Sequence, residues 1–284
     1  MADPIIVGTD GSAAATAATE WAADDAARKG CPLRLVSVVD HWAYGIPKFP
    51  AGAGDPLTVH AERALAAAEA AARGRRPEVP VSAEIVEGIP AKILRDKAGE
   101  AAEIVVGSRG LGGFAGVVVG SVSTHVAGHA SCPVVVVRPG WRDAHGEIVV
   151  GVDYSPECEP AIAYAFEQAR LRGCGVRAVY AWQLPVHTLA PEISYDVEEL
   201  HETQRRAVSE KLAPWRRDEP GVPVREEVVF GHPVEALTEA SERADLLVVG
   251  SHGRGALGSV MLGSVSRAVL HHAHCPVAVV RPRR

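Results

Sequence analysis

The chain carries one glycine pattern twice, in the same register. Gly107-Ser108-Arg109-Gly110 is followed after nine residues by Gly120-Ser121, and Gly250-Ser251-His252-Gly253 is followed after nine residues by Gly263-Ser264. Both parts of the pattern are displaced by 143 positions, because 250 − 107 and 263 − 120 give the same value. A period this long exceeds the unit of a solenoid and matches a whole domain. We therefore predict two tandem copies of one fold, each of which buries its own core.

Further segments return at the same shift and place the domain boundary. The predicted domains are residues 1–140 and 146–284, with a short linker near residues 138–146 where Pro139, Gly140 and polar residues interrupt the apolar pattern. Because the linker is short, we expect the domains to touch. The repeated segments are residues 5–12 and 148–155, Gly30-Cys31 and Gly173-Cys174, Gly88-Ile89-Pro90 and Gly231-His232-Pro233, and residues 131–134 and 274–277.

Composition favours a soluble, cytoplasmic protein. Hydrophobic residues make up 47% of the chain, yet no run of about 18 apolar residues predicts a membrane span. The start of the chain does not have the pattern of a secretion signal. The five cysteines are too scattered for a disulfide framework and are interpreted as small buried hydrophobes. A net charge of −6 argues against a nucleic-acid partner.

Apolar runs alternate with helical patterns in both halves. Near-continuous Val/Ile runs separated by helices predict an α/β fold, in which each half is a doubly wound domain with a parallel sheet covered on both faces. Predicted strands cover residues 4–9, 33–39, 81–86, 104–107 and 134–137, then 147–152, 176–182, 224–229, 246–250 and 277–281. Predicted helices cover residues 13–29, 57–73, 90–98 and 121–129, with a long helix at 197–215 in the second half.

The glycine loop leaves the carboxyl end of the predicted fourth strand, which is the edge where doubly wound sheets bind ligands. Gly107 and Gly110 let the backbone approach a ligand closely. Gly120-Ser121 opens a helix whose free N–H groups and dipole favour phosphate, and Ser121 and Ser123 add hydroxyl donors. The arrangement predicts a site for a nucleotide polyphosphate.

Three motifs together resemble the universal stress protein family over nearly the whole chain. They are the G-x2-G-x9-G-[ST] spacing after a fourth strand, the V-G-x-D opening at residues 7–10 and 150–153, and the C-P-V-x-V-V-R ending at residues 132–138 and 275–281. The resemblance implies a five-stranded parallel sheet in the order 3-2-1-4-5 in each half. It also implies an adenine nucleotide, ATP, bound with Mg²⁺ or Mn²⁺.

By position, the resemblance also implies the contacts of the nucleotide. Asp10 and Asp153, with Gly8 and Gly151, would line the nucleoside side or help hold the metal, and adenine would lie near Val38 and Ala181. The implied phosphate and ribose contacts are Gly107, Ser108, Arg109, Gly110, Leu111, Gly112, Gly113, Gly120, Ser121, Val122 and Ser123 in the first half, and Gly250, Ser251, His252, Gly253, Arg254, Gly255, Ala256, Gly263, Ser264, Val265 and Ser266 in the second.

The two predicted sites differ in their side chains. Arg109 is a candidate phosphate contact, whereas His252 stands at the equivalent position. The small residue after the first-strand aspartate is Gly11 in the first half and Tyr154 in the second, where the ring is expected to crowd the pocket. Equal affinity of the two sites does not follow.

Other motif interpretations fit less well. Residues 253–258 match G-x-G-x-x-G, but they follow the fourth strand and no acidic residue lies about 20 positions on. No G-x-x-x-x-G-K-[ST] is present. Histidines and cysteines at residues 125–132 and 271–275 suggest a metal cluster, but their repeat partners differ, so we favour a helix C-terminus enriched in histidine.

The pattern favours binding over catalysis. An ATPase or kinase needs a group that activates the nucleophile, and Asp10 and Asp153 are the only acids that the pattern places at the sites. We expect a nucleotide-dependent regulator of the cellular stress response with little or no turnover. Three alternatives stay open: a slow ATPase or phosphotransferase, a nucleotide-independent interaction protein, and a flavin carrier.

The last predicted strand of each half is an apolar edge, and such edges invite pairing. Single-domain members of the resembling family form dimers through this strand. The chain is therefore expected to pair residues 134–137 with residues 277–280 as an intramolecular pseudo-dimer. Whether the whole chain also forms a homodimer, and which downstream protein it contacts, stay open.

Overall fold

The computed structural model describes residues 2–41, 55–111, 119–141, 145–183, 196–253 and 262–282. The first half contains β1 (Ile5–Gly8), α1 (Ala13–Lys29), β2 (Leu33–Val39), α2 (Pro56–Arg75), β3 (Val81–Glu87), α3 (Pro90–Asp96), β4 (Glu103–Gly107), α4 (Ser121–His129) and β5 (Val134–Val137). The second half contains β6 (Glu147–Gly151), α5 (Glu159–Arg172), β7 (Gly175–Trp182), α6 (Val197–Asp218), β8 (Val224–Phe230), α7 (Pro233–Ser241), β9 (Leu246–Gly250), α8 (Ser264–His272) and β10 (Val277–Val280). No helix within these ranges is long and apolar enough to cross a membrane.

The described strands form one sheet in the order β3-β2-β1-β4-β5-β10-β9-β6-β7-β8. Neighbouring strands within each half are parallel. One face packs against α1, α2, α5 and α6, and the other packs against α3, α4, α7 and α8. The predicted α/β class, the helices on both faces and the order 3-2-1-4-5 of the first half are confirmed.

The two halves meet where β5 pairs with β10. The pairing is antiparallel and sets Val135 opposite Ala278. These two residues are repeat equivalents, since 278 − 135 = 143. The contact is therefore isologous, with the same strand on both sides. The predicted pairing of the last strands is confirmed.

The apolar core differs from the prediction of a separate core in each half. Each face of the sheet carries one cluster of buried side chains, and each cluster draws residues from both halves. Val135 and Ile148 belong to one cluster, and Val136 and Val149 belong to the other. The antiparallel pairing explains this result, because it makes the sheet continuous across the boundary.

A reciprocal polar network lies at the same boundary, where α1 packs beside α5. Gln168 Nε2 donates to Asp25 Oδ2 at 2.9 Å, and Asp25 is fully buried. A cation of each half also lies over an aromatic ring of the other half. Lys29 Nζ is 5.1 Å from the ring centroid of Tyr164, and Arg172 Cζ is 5.4 Å from the ring centroid of Trp21. All these positions are related by the repeat shift. The boundary is therefore a packed interface.

The helices that follow the first strand of each half begin differently. The Ser12 hydroxyl caps α1 by accepting from Ala15 N at 3.2 Å. The equivalent Ser155 hydroxyl instead donates to Asp153 Oδ1 at 2.5 Å, and a 3-10 turn over Pro156–Cys158 precedes α5. Most predicted boundaries agree within two or three residues. The α-helix predicted at residues 90–98 ends at Asp96, and a 3-10 helix over Lys97–Glu100 follows it. The helix predicted at residues 197–215 extends to Asp218.

Candidate functional site

Asp10 holds the first glycine loop against the end of β1. Its Oδ1 accepts from Ser12 N at 3.0 Å and its Oδ2 accepts from Leu111 N at 2.9 Å. Gly110 lies so close that a Cβ there would come within 2.5 Å of Asp10 Oδ2. The glycine therefore lets the loop close onto the carboxylate. Asp10 therefore joins the turn after β1 to the glycine loop after β4.

The second half builds a similar contact. Asp153 Oδ1 accepts from Ser155 N at 2.9 Å, and a Cβ on Gly253 would lie 2.8 Å from Asp153 Oδ2. Gly253 ends the described part of this loop. Five predicted contacts lie outside the described residues: Gly112, Gly113, Arg254, Gly255 and Ala256.

Both helices that follow the glycine loops begin without a side-chain cap. Gly120 and Gly263 occupy the N-cap positions of α4 and α8 and provide no side-chain hydrogen bond. Each donates its own N–H back to the loop, Gly120 to Ser108 O at 2.8 Å and Gly263 to Ser251 O at 2.9 Å. The first-turn N–H groups are consequently not occupied by a cap, which is the arrangement that binds anions. The exposed Ser121 and Ser264 stand at the same turns.

The second serine of each helix has a different role from the predicted one. Ser123 is buried and donates its hydroxyl to Gly107 O at 2.7 Å, and Ser266 donates to Gly250 O at 2.6 Å. These hydroxyls fasten the helix to the end of the strand, so they are not free donors for a phosphate. Val122 and Val265 pack against the core cluster of that face.

Gly8 and Gly151 lie close to helices that pack on the sheet. A Cβ on Gly8 would lie 2.7 Å from Leu94 Cδ1, and one on Gly151 would lie 3.2 Å from Leu237 Cδ1. Both glycines therefore make room for the helices α3 and α7. Val38 and Ala181 lie near the carboxyl ends of β2 and β7 and are partly exposed, as a base contact requires.

The ring of Tyr154 lies against β7. Its ring packs on Tyr180 of β7 with centroids 4.8 Å apart, and its hydroxyl donates to Gln204 Oε1 at 2.7 Å. These contacts place the ring between β7 and α6.

Neighbouring residues that the motifs did not indicate make the sites unequal. His60 Nε2 lies 3.0 Å from Asp10 O in the first half. In the second half Lys211 Nζ donates to Ser155 O at 3.2 Å, and the buried Cys158 donates to Gly151 O. Burial raises the pKa of the Cys158 thiol to about 11. The residues of the helices α2 and α6 carry no local signal of this role, because only the packing of each helix brings them to the loop.

Two arginines connect the halves close to these sites. Arg138 donates to Leu270 O at 2.7 Å and to His271 O at 2.8 Å, and Arg281 donates to Gly128 O. Arg109, within the first loop, is exposed. Because 281 − 138 = 143, the sequence repeat could have identified this arginine pair.

The alternative metal cluster receives no support from the geometry. Among the residues that the structure describes, no three His, Cys, Asp or Glu side chains are grouped so as to hold a metal ion. His129 Nδ1 instead lies 2.8 Å from His125 O, and the two imidazole rings stack at 4.1 Å. The five cysteines are free thiols, and four of them are buried.

Comparison with known proteins agrees with the sequence motifs. The model of the Usp (universal stress protein) family matches residues 1–138 and 145–281. A universal stress protein of Mycolicibacterium smegmatis is 38% identical over 98% of this chain and 97% of its own length. Universal stress protein Rv2005c of Mycobacterium tuberculosis is 36% identical over 98% of this chain and 96% of its own. A crystal structure of a universal stress protein from Archaeoglobus fulgidus has the same fold, with a TM-score of 0.70 at 20% identity over the full length of both chains. The chain therefore belongs to the universal stress protein family and consists of two tandem copies of its domain.

Proposed function

We propose that the chain binds ATP at the carboxyl edges of β4 and β9 and acts as a nucleotide-dependent regulator of the stress response. Family membership supports the stress-response role. The observation that carries the nucleotide proposal is the cradle that both halves build from a glycine loop and an uncapped helix start. A repeated cradle of this kind suits a polyphosphate, because backbone N–H groups and the helix dipole both attract anions.

Side chains near each cradle add contacts for the ligand. Arg109 supplies a positive charge at the first site. At the second site His252 Nδ1 lies 3.1 Å from Ser251 Oγ, and its buried Nε2 has no hydrogen-bond partner among the described residues. A buried polar nitrogen without a partner is unfavourable, and a ligand oxygen would satisfy it. The two sites are therefore proposed to bind the same class of ligand with different affinity.

A divalent cation fits this donor set. Asp10 and Asp153 are the carboxylates at the two loops, and their oxygens retain lone pairs beyond the backbone N–H groups that they accept. Together with phosphate oxygens they would hold Mg²⁺ or Mn²⁺, which prefer oxygen ligands. The cation would neutralise phosphate charge. Asp10 and Asp153 would meanwhile keep each loop closed against its first strand.

Efficient hydrolysis is not part of the proposal. Asp10 already accepts from the first loop and Asp153 already accepts from the backbone and hydroxyl of Ser155, which leaves neither placed as a dedicated base for water. Lys211 reaches only the second site, and there it donates to a backbone carbonyl. We therefore propose binding with little or no turnover.

Released ligand is the direct test. The purified protein is denatured and the supernatant is separated by chromatography. We expect about two adenine nucleotides per chain, or one if the weaker site empties during purification. If no nucleotide is released and added Mg-ATP does not raise the melting temperature, the proposal is wrong. A hundredfold excess of free ATP over the Kd of a site should stabilise the fold by about 2.7 kcal/mol for each such site.

Two variants separate binding from turnover. Gly110→Val and Gly253→Val each place a branched side chain where a Cβ already meets the aspartate. Each should lower the number of bound nucleotides by one, whereas Gly74→Ala in α2 should leave it unchanged. Steady release of phosphate at several turnovers per minute, lost in the double variant, would favour the slow ATPase instead.

A further inference from the structure

Arg138 and Arg281 each directly follow the last strand of one half and contact a helix of the other half. Arg138 donates to the carbonyls of Leu270 and His271, and Arg281 donates to the carbonyl of Gly128. These carbonyls lie in the last turns of α8 and α4, where backbone acceptors have no partner within the helix. Each arginine therefore satisfies and neutralises a helix C-terminus that belongs to the opposite half.

The other ends of the same two helices form the candidate nucleotide sites. α4 begins at Gly120-Ser121 and spans only nine residues, and α8 begins at Gly263-Ser264 and also spans nine. A helix this short has little stability of its own, so its position depends on contacts at both ends. The arginine of one half thus contributes to the placement of the anion-binding N–H groups of the other half.

Each arginine is also adjacent to the glycine loop of its own half. Ser108 N donates to Val137 O at 2.7 Å, and Ser251 N donates to Val280 O at 2.9 Å. Val137 and Val280 are the residues directly before the two arginines. Burial and the nearby Arg109 guanidinium lower the pKa of Arg138, consistent with its position next to the first loop. A continuous set of contacts therefore runs from each loop to the far end of the other site's helix.

We propose that Arg138 and Arg281 are positioning residues exchanged between the halves, each supporting the nucleotide site of the opposite half. The proposal rests on the proposed function and deepens it by linking the two sites. Arg281 supports the site at α4 and Arg138 supports the site at α8. A nucleotide that orders one loop consequently affects the helix of the other site, and thermodynamic reciprocity makes the effect mutual.

The test measures both sites in the intact chain by hydrogen exchange with mass spectrometry over a titration with Mg-ATP. Arg281→Met removes the donors and keeps much of the side-chain volume. It should raise the ATP concentration for half-protection of α4 by about twofold to fivefold, the usual effect of a cation at a helix C-terminus, and leave that of α8 unchanged. Arg138→Met should give the reverse. Arg73→Met, on an exposed side chain of α2, is the matched control and should change neither helix.

The proposal would be overturned if a substitution raised the ATP concentration for half-protection of the helix in its own half, or raised it equally for α4 and α8. If a methionine variant does not fold, Arg138→Lys and Arg281→Lys keep the cation, and they should shift the opposite helix in the same direction by a smaller factor. If the wild-type chain shows no protection by ATP, the proposed function fails while this inference stays testable. Without nucleotide, Arg281→Met should accelerate exchange in α4 and not in α8, and acceleration in α8 alone would contradict it.

Discussion

Gly107 and Gly250 end equivalent strands, but a helix lies close against only the first of them. A Cβ on Gly107 would lie 2.6 Å from the backbone carbon of Ala14, whereas a Cβ on Gly250 would approach no atom closer than 3.3 Å. We expect Gly107→Ala to lower the free energy of unfolding by about 1–3 kcal/mol, as overpacking of a well-packed site does. Gly250→Ala should cost less than about 1 kcal/mol. Urea denaturation of both variants measures the difference, and equal losses would contradict it.

Glu103 gives the molecule a pH-dependent stability. Its side chain is fully buried, lies 2.5 Å from Lys29 Nζ and accepts from the Tyr164 hydroxyl at 2.8 Å. Burial outweighs the charge of Lys29 and raises the pKa of Glu103 to about 7, from an ordinary value of 4.5. The folded state therefore binds the proton more tightly than the unfolded state does. The stability that protonation of Glu103 contributes is fully present below pH 4.5 and is lost as the pH rises through about 7.

A Glu103→Gln variant isolates this effect, because glutamine cannot titrate. The unfolding free energy of the wild type relative to the variant should fall by at most about 3 kcal/mol between pH 4.5 and pH 7.5. Chemical denaturation at several pH values measures the difference. Glu100→Gln, a change on an exposed side chain, is the control and should give a flat profile. A flat profile for Glu103→Gln as well would show that Glu103 does not titrate in this range.

At the scale of the element, α1 and α5 end on equivalent glycines that the sequence already indicates. Gly30 and Gly173 have φ angles of 64° and 66°, and a Cβ at either position would meet no atom within 4 Å. Alanine there costs only the left-handed backbone strain, so each substitution should lower the unfolding free energy by about 1 kcal/mol. Gly74 is the penultimate residue of α2 and has equally open space, and Gly74→Ala should raise the unfolding free energy by a few tenths of a kcal/mol. Thermal or urea unfolding tests whether the change in unfolding free energy has opposite signs at the two helix-ending glycines and at Gly74.

The ends of the helices show which boundaries can be predicted from neighbouring residues alone. The cap of α1 at Ser12 and its stop at Gly30 are predictable, because each depends on one residue and its backbone. The later start of α5 is not, since Ser155 could cap the helix as Ser12 does and instead donates to Asp153. Two partners compete for one hydroxyl, and the packing of the loop selects between them.

At the scale of the molecule, the halves share one sheet and both core clusters. Because opening either half would expose the β5–β10 pairing and the Asp25 network, we expect one cooperative unfolding transition. Scanning calorimetry should give a single peak with equal calorimetric and van't Hoff enthalpies. An Ala278→Asp substitution at the centre of the pairing should lower that single transition temperature. Two resolved peaks in the wild type would indicate halves that unfold independently.

The sequence by itself determined the duplication, the order of the elements and the placement of both glycine loops at the ends of β4 and β9. These properties follow from periodicity and spacing, because they depend on the types of neighbouring residues along the chain. Only the tertiary structure decided that two predicted cores merge into shared clusters, that Ser123 and Ser266 fasten helices to strands, and that Arg138 and Arg281 reach the opposite half. Those outcomes depend on groups far apart in the chain competing for the same contacts, and such competition is resolved only when the sheet assembles.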